Sequence, residues 1–415
     1  MRRQQGSSPG LKQRLSDSVK QSKFAAMLVA ILTGAILAVP SRAAETVPTG
    51  KPGHVFIIVL ENEGYHVTFG PSSPAAYLKG LARQGALLSS YYGIGHFSLD
   101  NYLAMISGQG VNPVTQSDCA SFVEFTQTGT AADGQAVGSG CVYPAAVKTI
   151  ADQLAAKGLT WKAYMEDMGN IPARESATCG HPTIGSPDGT QRAVVGDQYA
   201  TRHNPFVYFH SIIDTPACNA DVVALPALAA DLQSLAATPN YVFITPNLCH
   251  DGHDGGEAGR KCVNGEPGGL VSADKFLADT VPRILASPAF RLDGLLIVTF
   301  DEADIDVKFD KATNTVKMGE GDASACCDEQ PGPNIAPGAK VFGSLPDQGP
   351  GVVGPGGGRI GAVLVSPFIR PGTVSDTPYN HYSLLRSVED IFGLDHLGYA
   401  GRAGLKPFGP DVFGR

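Results

Sequence analysis

The sequence is short of charge. Only 17% of its 415 residues are Asp, Glu, Lys or Arg, and the formal balance is −8. Nothing in that balance offers a nucleic-acid backbone or an anionic membrane surface a basic partner. There is no internal repeat and no heptad pattern, which excludes solenoids and coiled coils. No Cys-x-x-Cys pair is present, so the usual spacing of a structural zinc site is missing. GSSPG (6–10) fits Gly-x-Ser-x-Gly, but it lies at the extreme N-terminus and the rest of the chain has no such elbow, which argues against an ordinary α/β-hydrolase. Apart from residues 24–40, no apolar run is long enough to cross a bilayer.

What is present begins with an export layout. Arg2, Arg3, Lys12, Arg14, Lys20 and Lys23 precede the apolar FAAMLVAILTGAILAVP (24–40), and small residues at Ser41, Ala43 and Ala44 follow. This predicts a signal peptide over residues 1–44, cleaved to leave a secreted or periplasmic protein with no membrane span; the alternative is an uncleaved anchor. Eight cysteines agree with an oxidising destination. The near neighbours 119–141, 179–218 and 249–262 would each close a loop-rich segment. Adjacent Cys326 and Cys327 are not expected to bond to each other.

Residues 45–415 read as one α/β domain. HVFIIVL (54–60), YVFITP (241–246), LLIVTF (295–300) and AVLVSP (362–367) are short continuous apolar runs, as expected of strands buried on both faces of a parallel sheet. Helical patterns fall between them, near 74–85, 101–107, 146–157, 226–236, 273–286 and 382–392. The alternation predicts a mainly parallel sheet covered by helices on both faces, a three-layer α/β/α sandwich. Gly-, Pro- and Cys-rich stretches near 109–145, 170–225 and 303–358 read as insertions into that one domain.

Polar residues gather where such a sheet binds ligands, at the carboxyl ends of its strands. The first run leads into Glu61 and Asn62, the second into His250, Asp251 and His253, and the third into Asp301 and Glu302. Glu61, Asn62, Asp301 and Glu302 form a hard oxygen set suited to Ca²⁺, Mg²⁺ or Mn²⁺ rather than zinc. His250, His253 and His381 could complete a second site or act as acid and base. In GIGHFSLDNYLAMISG (93–108), Ser98 precedes a short apolar helix, and it is either a helix cap or a nucleophile at the helix's positive end. A metal beside Ser98 would generate an alkoxide, and helix amides would steady an anion; together these are the parts of a phosphoryl-transfer site.

HVFIIVLEN, GHFSLDNYLAMISG, TPNLCHDGHD, IVTFDEAD and NHYSLLRSVEDIFGL, in that order across residues 53–393, resemble the bacterial and fungal phosphoesterase family of secreted acid phosphatases and non-haemolytic phospholipases C. The resemblance implies an alkaline-phosphatase-like fold. It implies that Glu61, Asn62, Ser98, Asp301 and Glu302 hold a divalent metal, and that Ser98 accepts the phosphoryl group while Asn101 steadies a phosphoryl oxygen. His96, Asp251, His253 and His381 would line the pocket as acid/base groups or secondary ligands, with His253 or His381 protonating the leaving alcohol. Phe97 and Asp100 stand where the family carries prolines, and EGYHVTFG (63–70) departs from the phospholipase pattern. The expected activity is therefore hydrolysis of phosphate monoesters through a phosphoserine. Cleavage of phospholipid head-group diesters is the alternative, and an inactive phosphate-binding surface module is a third reading. HNPFVYF (203–209) and Arg359 are further family-like or phosphate-contact candidates.

Overall fold

The computed structural model describes residues 50–256, 260–304, 307–310, 315–318, 322–335 and 356–414, with backbone only at 307–310 and 315–318. The expected signal peptide and part of the 303–358 insertion lie outside these residues. The chain divides into two units at Thr46, and the description that follows concerns the second.

Its centre is an eight-stranded sheet. In chain order the strands are β1 (His54–Leu60), β2 (Ala86–Leu88), β3 (Trp161–Met165), β4 (Val222–Ala224), β5 (Tyr241–Thr245), β6 (Gly294–Phe300), β7 (Ala362–Val365) and β8 (Thr373–Ser375). Across the sheet they run β8-β2-β7-β6-β1-β5-β3-β4. β1 sits between β5 and β6, parallel to both, with Val55 opposite Tyr241 and Leu295. Every residue of β1, β5 and β6 is buried. At roughly 1.5–3 kcal/mol per large apolar side chain, these three strands supply much of the drive to fold.

The AVLVSP segment forms β7, and here the structure corrects the expectation of a parallel strand. β7 runs antiparallel to both β6 and β2, and it alone is reversed in this sheet. A strand buried on both faces is equally apolar read in either direction, so its sense is invisible in the sequence.

The helices used below are α1 (Ala76–Gln84), α2 (Ser98–Ser107), α3 (Ile150–Ala156), α4 (Gly269–Ala286), α5 (Pro288–Asp293) and α6 (His381–Phe392). α1 packs on α4 and β7, α4 on α5, and α5 on β1 and β6; α2, α3 and α6 pack on one another, and α3 on β3. These two groups are the outer layers. The pattern at 226–236 condenses to a 3-10 turn and a single helical turn, Leu228–Asp231. Disulfides join Cys119–Cys141, Cys179–Cys218 and Cys249–Cys262. Contrary to expectation, Cys326 is bonded to Cys327. No helix among the described residues is long and apolar enough to cross a membrane.

Candidate functional site

The carboxyl ends of β1, β5 and β6 bring three carboxylates side by side. The Glu61 N–H donates to the Asp251 carbonyl at 2.8 Å, and the Asp301 N–H donates to the Leu60 carbonyl at 2.8 Å. Glu61, Asp251 and Asp301 are all fully buried. Tyr102 donates to Glu61 Oε1 at 2.6 Å, while Ser98 Oγ and Asn62 Nδ2 donate to Oε2 at 2.6 and 2.9 Å. Asp301 Oδ1 accepts from the backbone of Asn62 and Glu302, and Asp251 Oδ1 from that of His253. Among the described residues the other oxygen of Asp301 has no hydrogen-bond partner, nor does that of Asp251, which lies 3.7 Å from His203 Nδ1, nor does Nε2 of His203. That nitrogen lies 3.3 Å from Glu61 Oε1, and the His203 ring stacks on Tyr102.

Burial first, and neighbouring carboxylates second, push Glu61 well above the carboxylate range. Burial also pushes Asp251 well up and Asp301 to about 6. Burial holds His203 well below its usual range, with Arg202 next door adding to the effect. Neighbouring buried carboxylates with unbonded oxygens are a costly arrangement that a cation relieves. Two carboxylates, a hydroxyl and an amide around Glu61, Asp301, Ser98 and Asn62 therefore fit a hard divalent ion. Among the described residues the one group of three His, Cys, Asp or Glu side chains whose donor atoms all lie within 4.8 Å of one another is Cys249, His250 and Glu266. It is no metal centre: the Cys249 sulfur is bonded to Cys262, and the His250 ring is held between Glu166 and Glu266.

Ser98 is the first residue of α2, not its cap. Phe97 occupies the cap position with φ of 78°, and the Ser98 hydroxyl turns away from the helix toward Glu61. The loop before it runs close to the acidic edge: a Cβ at Gly93 would stand 2.7 Å from the Asp301 carbonyl oxygen. Two amides at this helix start are already taken. Leu99 N–H donates to Asp118 Oδ1 at 3.1 Å, and Phe97 N–H to Glu302 Oε1 at 2.9 Å. Protein carboxylates thus occupy part of the expected cradle of helix amides.

Three expected pocket residues stand behind the site. Asn101 spends its amide on the loop that carries Ser98, donating to the Gly95 and Phe97 carbonyls and accepting from the Ile94 N–H. His381, fully buried, contacts the Asp301 carbonyl at 2.6 Å and the Tyr91 hydroxyl at 3.0 Å. His96 pairs with Glu302 and with the Asp322 carbonyl. Burial lowers both imidazoles to about 4, so each is neutral and occupied at both nitrogens. Glu302 has one oxygen on the Phe97 amide and the other on His96. Arg359 stacks on Tyr65 at 4.0 Å and donates to the Ser89 carbonyl, away from the serine.

Asn62, Ser98, His253 and Glu302 do meet at a cleft of about 830 Å³. Asp118 and Arg202 line it too, and sequence reading passed over both. Asp118 lies in a Cys-rich insertion with no motif around it. Arg202 carried one signal, its place directly before the family-like HNPF. His203 was legible through that motif, whereas Tyr102 read only as a core aromatic.

Fold and site define an α/β protein with an acidic centre built around a serine at the carboxyl edge of its sheet. More narrowly, the chain belongs to the phosphoesterase family, whose profile matches residues 71–395. A Kluyveromyces lactis protein named as a probable acid phosphatase is 27% identical over 83% of this chain; the chain spans only 59% of that relative's length. A phosphatidylinositol-3-phosphatase of Mycobacterium tuberculosis is 24% identical, over 92% of this chain and 89% of its own. A solved alkaline phosphatase superfamily structure from Vibrio parahaemolyticus aligns with 88% of this chain and 73% of its own, at 13% identity and a TM-score of 0.48.

Proposed function

We propose that this is an exported, metal-dependent phosphoesterase that hydrolyses phosphate monoesters through a phosphoserine on Ser98. The observation that carries the reading is the 2.6 Å contact from Ser98 Oγ, which lines the cleft, to the buried Glu61, beside carboxylate oxygens that accept no hydrogen bond among the described residues. Glu61, Asn62, Asp301 and Ser98 would hold the metal, with Asp251 and His203 adjoining. When bound, a divalent ion supplies charge that favours the ionised serine and offsets the phosphoryl charge. Ser98 Oγ attacks phosphorus in line, its proton passing toward Glu61 Oε2, which already accepts it. Of the histidines expected to protonate the leaving alcohol, only His253 is exposed in the cleft, so that role falls to His253. Water then hydrolyses the phosphoserine. The disulfides support an oxidising destination, and one domain over residues 45–415 is part of the same proposal.

A second reading, action on phosphorylated lipid, is favoured by Val67 and Val271, which line the cleft while remaining 48% and 50% exposed. The named activity of the mycobacterial relative points the same way. The test compares p-nitrophenyl phosphate, bis-p-nitrophenyl phosphate and a phosphoinositide in vesicles. Monoester turnover is expected to fall by at least about 1,000-fold in Ser98→Ala and to be lost with a chelator, then restored by Mg²⁺, Mn²⁺ or Ca²⁺. Survival of turnover in Ser98→Ala removes the serine mechanism. A preference for the diester moves the reading to a phospholipase C type, and turnover of none of the three leaves a phosphate-binding module.

A further inference from the structure

We propose that Arg202 receives a phosphoryl oxygen of the substrate and makes the cleft select monoesters over diesters. This rests on the phosphoesterase reading above and names the substrate charge that site prefers.

Arg202 sits in the turn Thr201–His203, directly before the histidine that packs against Glu61. The turn therefore fixes it relative to the partner of Ser98. It lines the cleft although only 7% exposed. Its guanidinium is steadied on two sides: Nε lies 3.7 Å from Asp118 Oδ2, and Nη1 donates to the Gln191 carbonyl at 3.2 Å. Nη2 has no hydrogen-bond partner among the described residues. Asp118 in turn accepts the Leu99 N–H, so one carboxylate spans the nucleophile's helix and this arginine. A guanidinium held at Nε and Nη1 keeps its remaining donor pre-aimed.

The surrounding charge makes that donor matter. Glu63, Asp118, Asp254, Glu302 and Asp304 all line the cleft, against two permanent cations, Arg202 and the exposed Arg260. With the Leu99 and Phe97 amides committed to Asp118 and Glu302, more of the contact with an incoming phosphoryl group falls to side chains. A monoester carries about two negative charges near neutral pH and a diester one. A fixed, poorly solvated cation favours the former more strongly.

The test uses the full protein with its activating metal, as wild type, Arg202→Met and Arg202→Lys. KM and kcat are read on p-nitrophenyl phosphate and bis-p-nitrophenyl phosphate, and the Kd of inorganic phosphate by calorimetric titration. Arg202→Met is expected to raise the monoester KM and the phosphate Kd on the order of 10- to 100-fold, as for loss of a charged hydrogen bond. The diester KM should change by less than about threefold, and Arg202→Lys should recover part of the loss. An unmoved phosphate Kd, or equal losses on both esters, overturns the proposal, as does a wild type that binds no phosphate. Wild type that binds phosphate yet hydrolyses neither ester defeats the hydrolase reading instead, and the titration still decides Arg202. Should Arg202→Met fail to fold, a wild-type Kd in Arg202→Lys overturns the proposal and a several-fold rise supports it.

Discussion

At the scale of single residues, Phe97 carries strain. A φ of 78° with ψ of 141° is glycine territory, and it occurs directly before Ser98. The Phe97 amide is held by Glu302 and its carbonyl by Asn101, so the surroundings impose the conformation. A proline here could not adopt this backbone: its φ is fixed near −65° and it has no N–H to give Glu302. The strain predicts an inverted ranking of small substitutions. Phe97→Gly should be more stable than Phe97→Ala by about 1 kcal/mol, because only glycine relaxes a positive φ. Denaturant melts of the two variants check this, and an alanine variant that matches or exceeds glycine refutes it.

At the scale of elements, α2 begins without a cap of its own and borrows one from Asp118, nineteen positions beyond Leu99. Asp118→Ala should cost about 1 kcal/mol in a thermal or denaturant melt, the usual effect of losing a cap. It should also lower turnover by loosening the first turn that carries Ser98. Asp118→Asn keeps an acceptor and should retain most of the stability. Equal losses in the two variants would show that charge, not capping, is what Asp118 contributes. Such borrowed contacts explain how much of the molecule was legible in advance. HVFIIVL, YVFIT and LLIVTF announce themselves as buried strands, and Glu61 and Asp301 follow them directly, so the acidic edge could be read from chain order alone. The three-residue strands β2, β4 and β8 carry too short a pattern to register. Asp118, Arg202 and Tyr102 join the site only through folding, and nothing in a linear pattern shows that Asn101 and His381 turn their polar atoms inward.

At the scale of the whole molecule, stability should respond to pH through buried acids. Glu389, on α6 and far from the serine in sequence, is fully buried; Oε1 accepts from the Leu397 N–H while Oε2 has no hydrogen-bond partner among the described residues. Burial raises its pKa from the ordinary 4.5 to about 8. Because the folded value lies above the unfolded one, the folded state binds the extra proton, and its stabilising effect is full below about 4.5 and lost as pH rises to about 8. Glu389→Gln should flatten this decline by roughly 1.4 kcal/mol per pH unit in that window. Denaturant melts at pH 5, 6.5 and 8 (about one and a half units apart) would read it. Parallel lines for wild type and variant would mean that Glu389 ionises normally.

Asp118 and Glu302 occupy two amides at the start of the serine's helix, and that has a consequence for how such a protein can change. Main-chain groups are common to every residue type, so a phosphate nest made of them survives almost any substitution. Here more of the groups left to greet a substrate at that helix are borne on side chains, each encoded separately. Preference can therefore drift one codon at a time, while the sheet that aims the serine stays as it is.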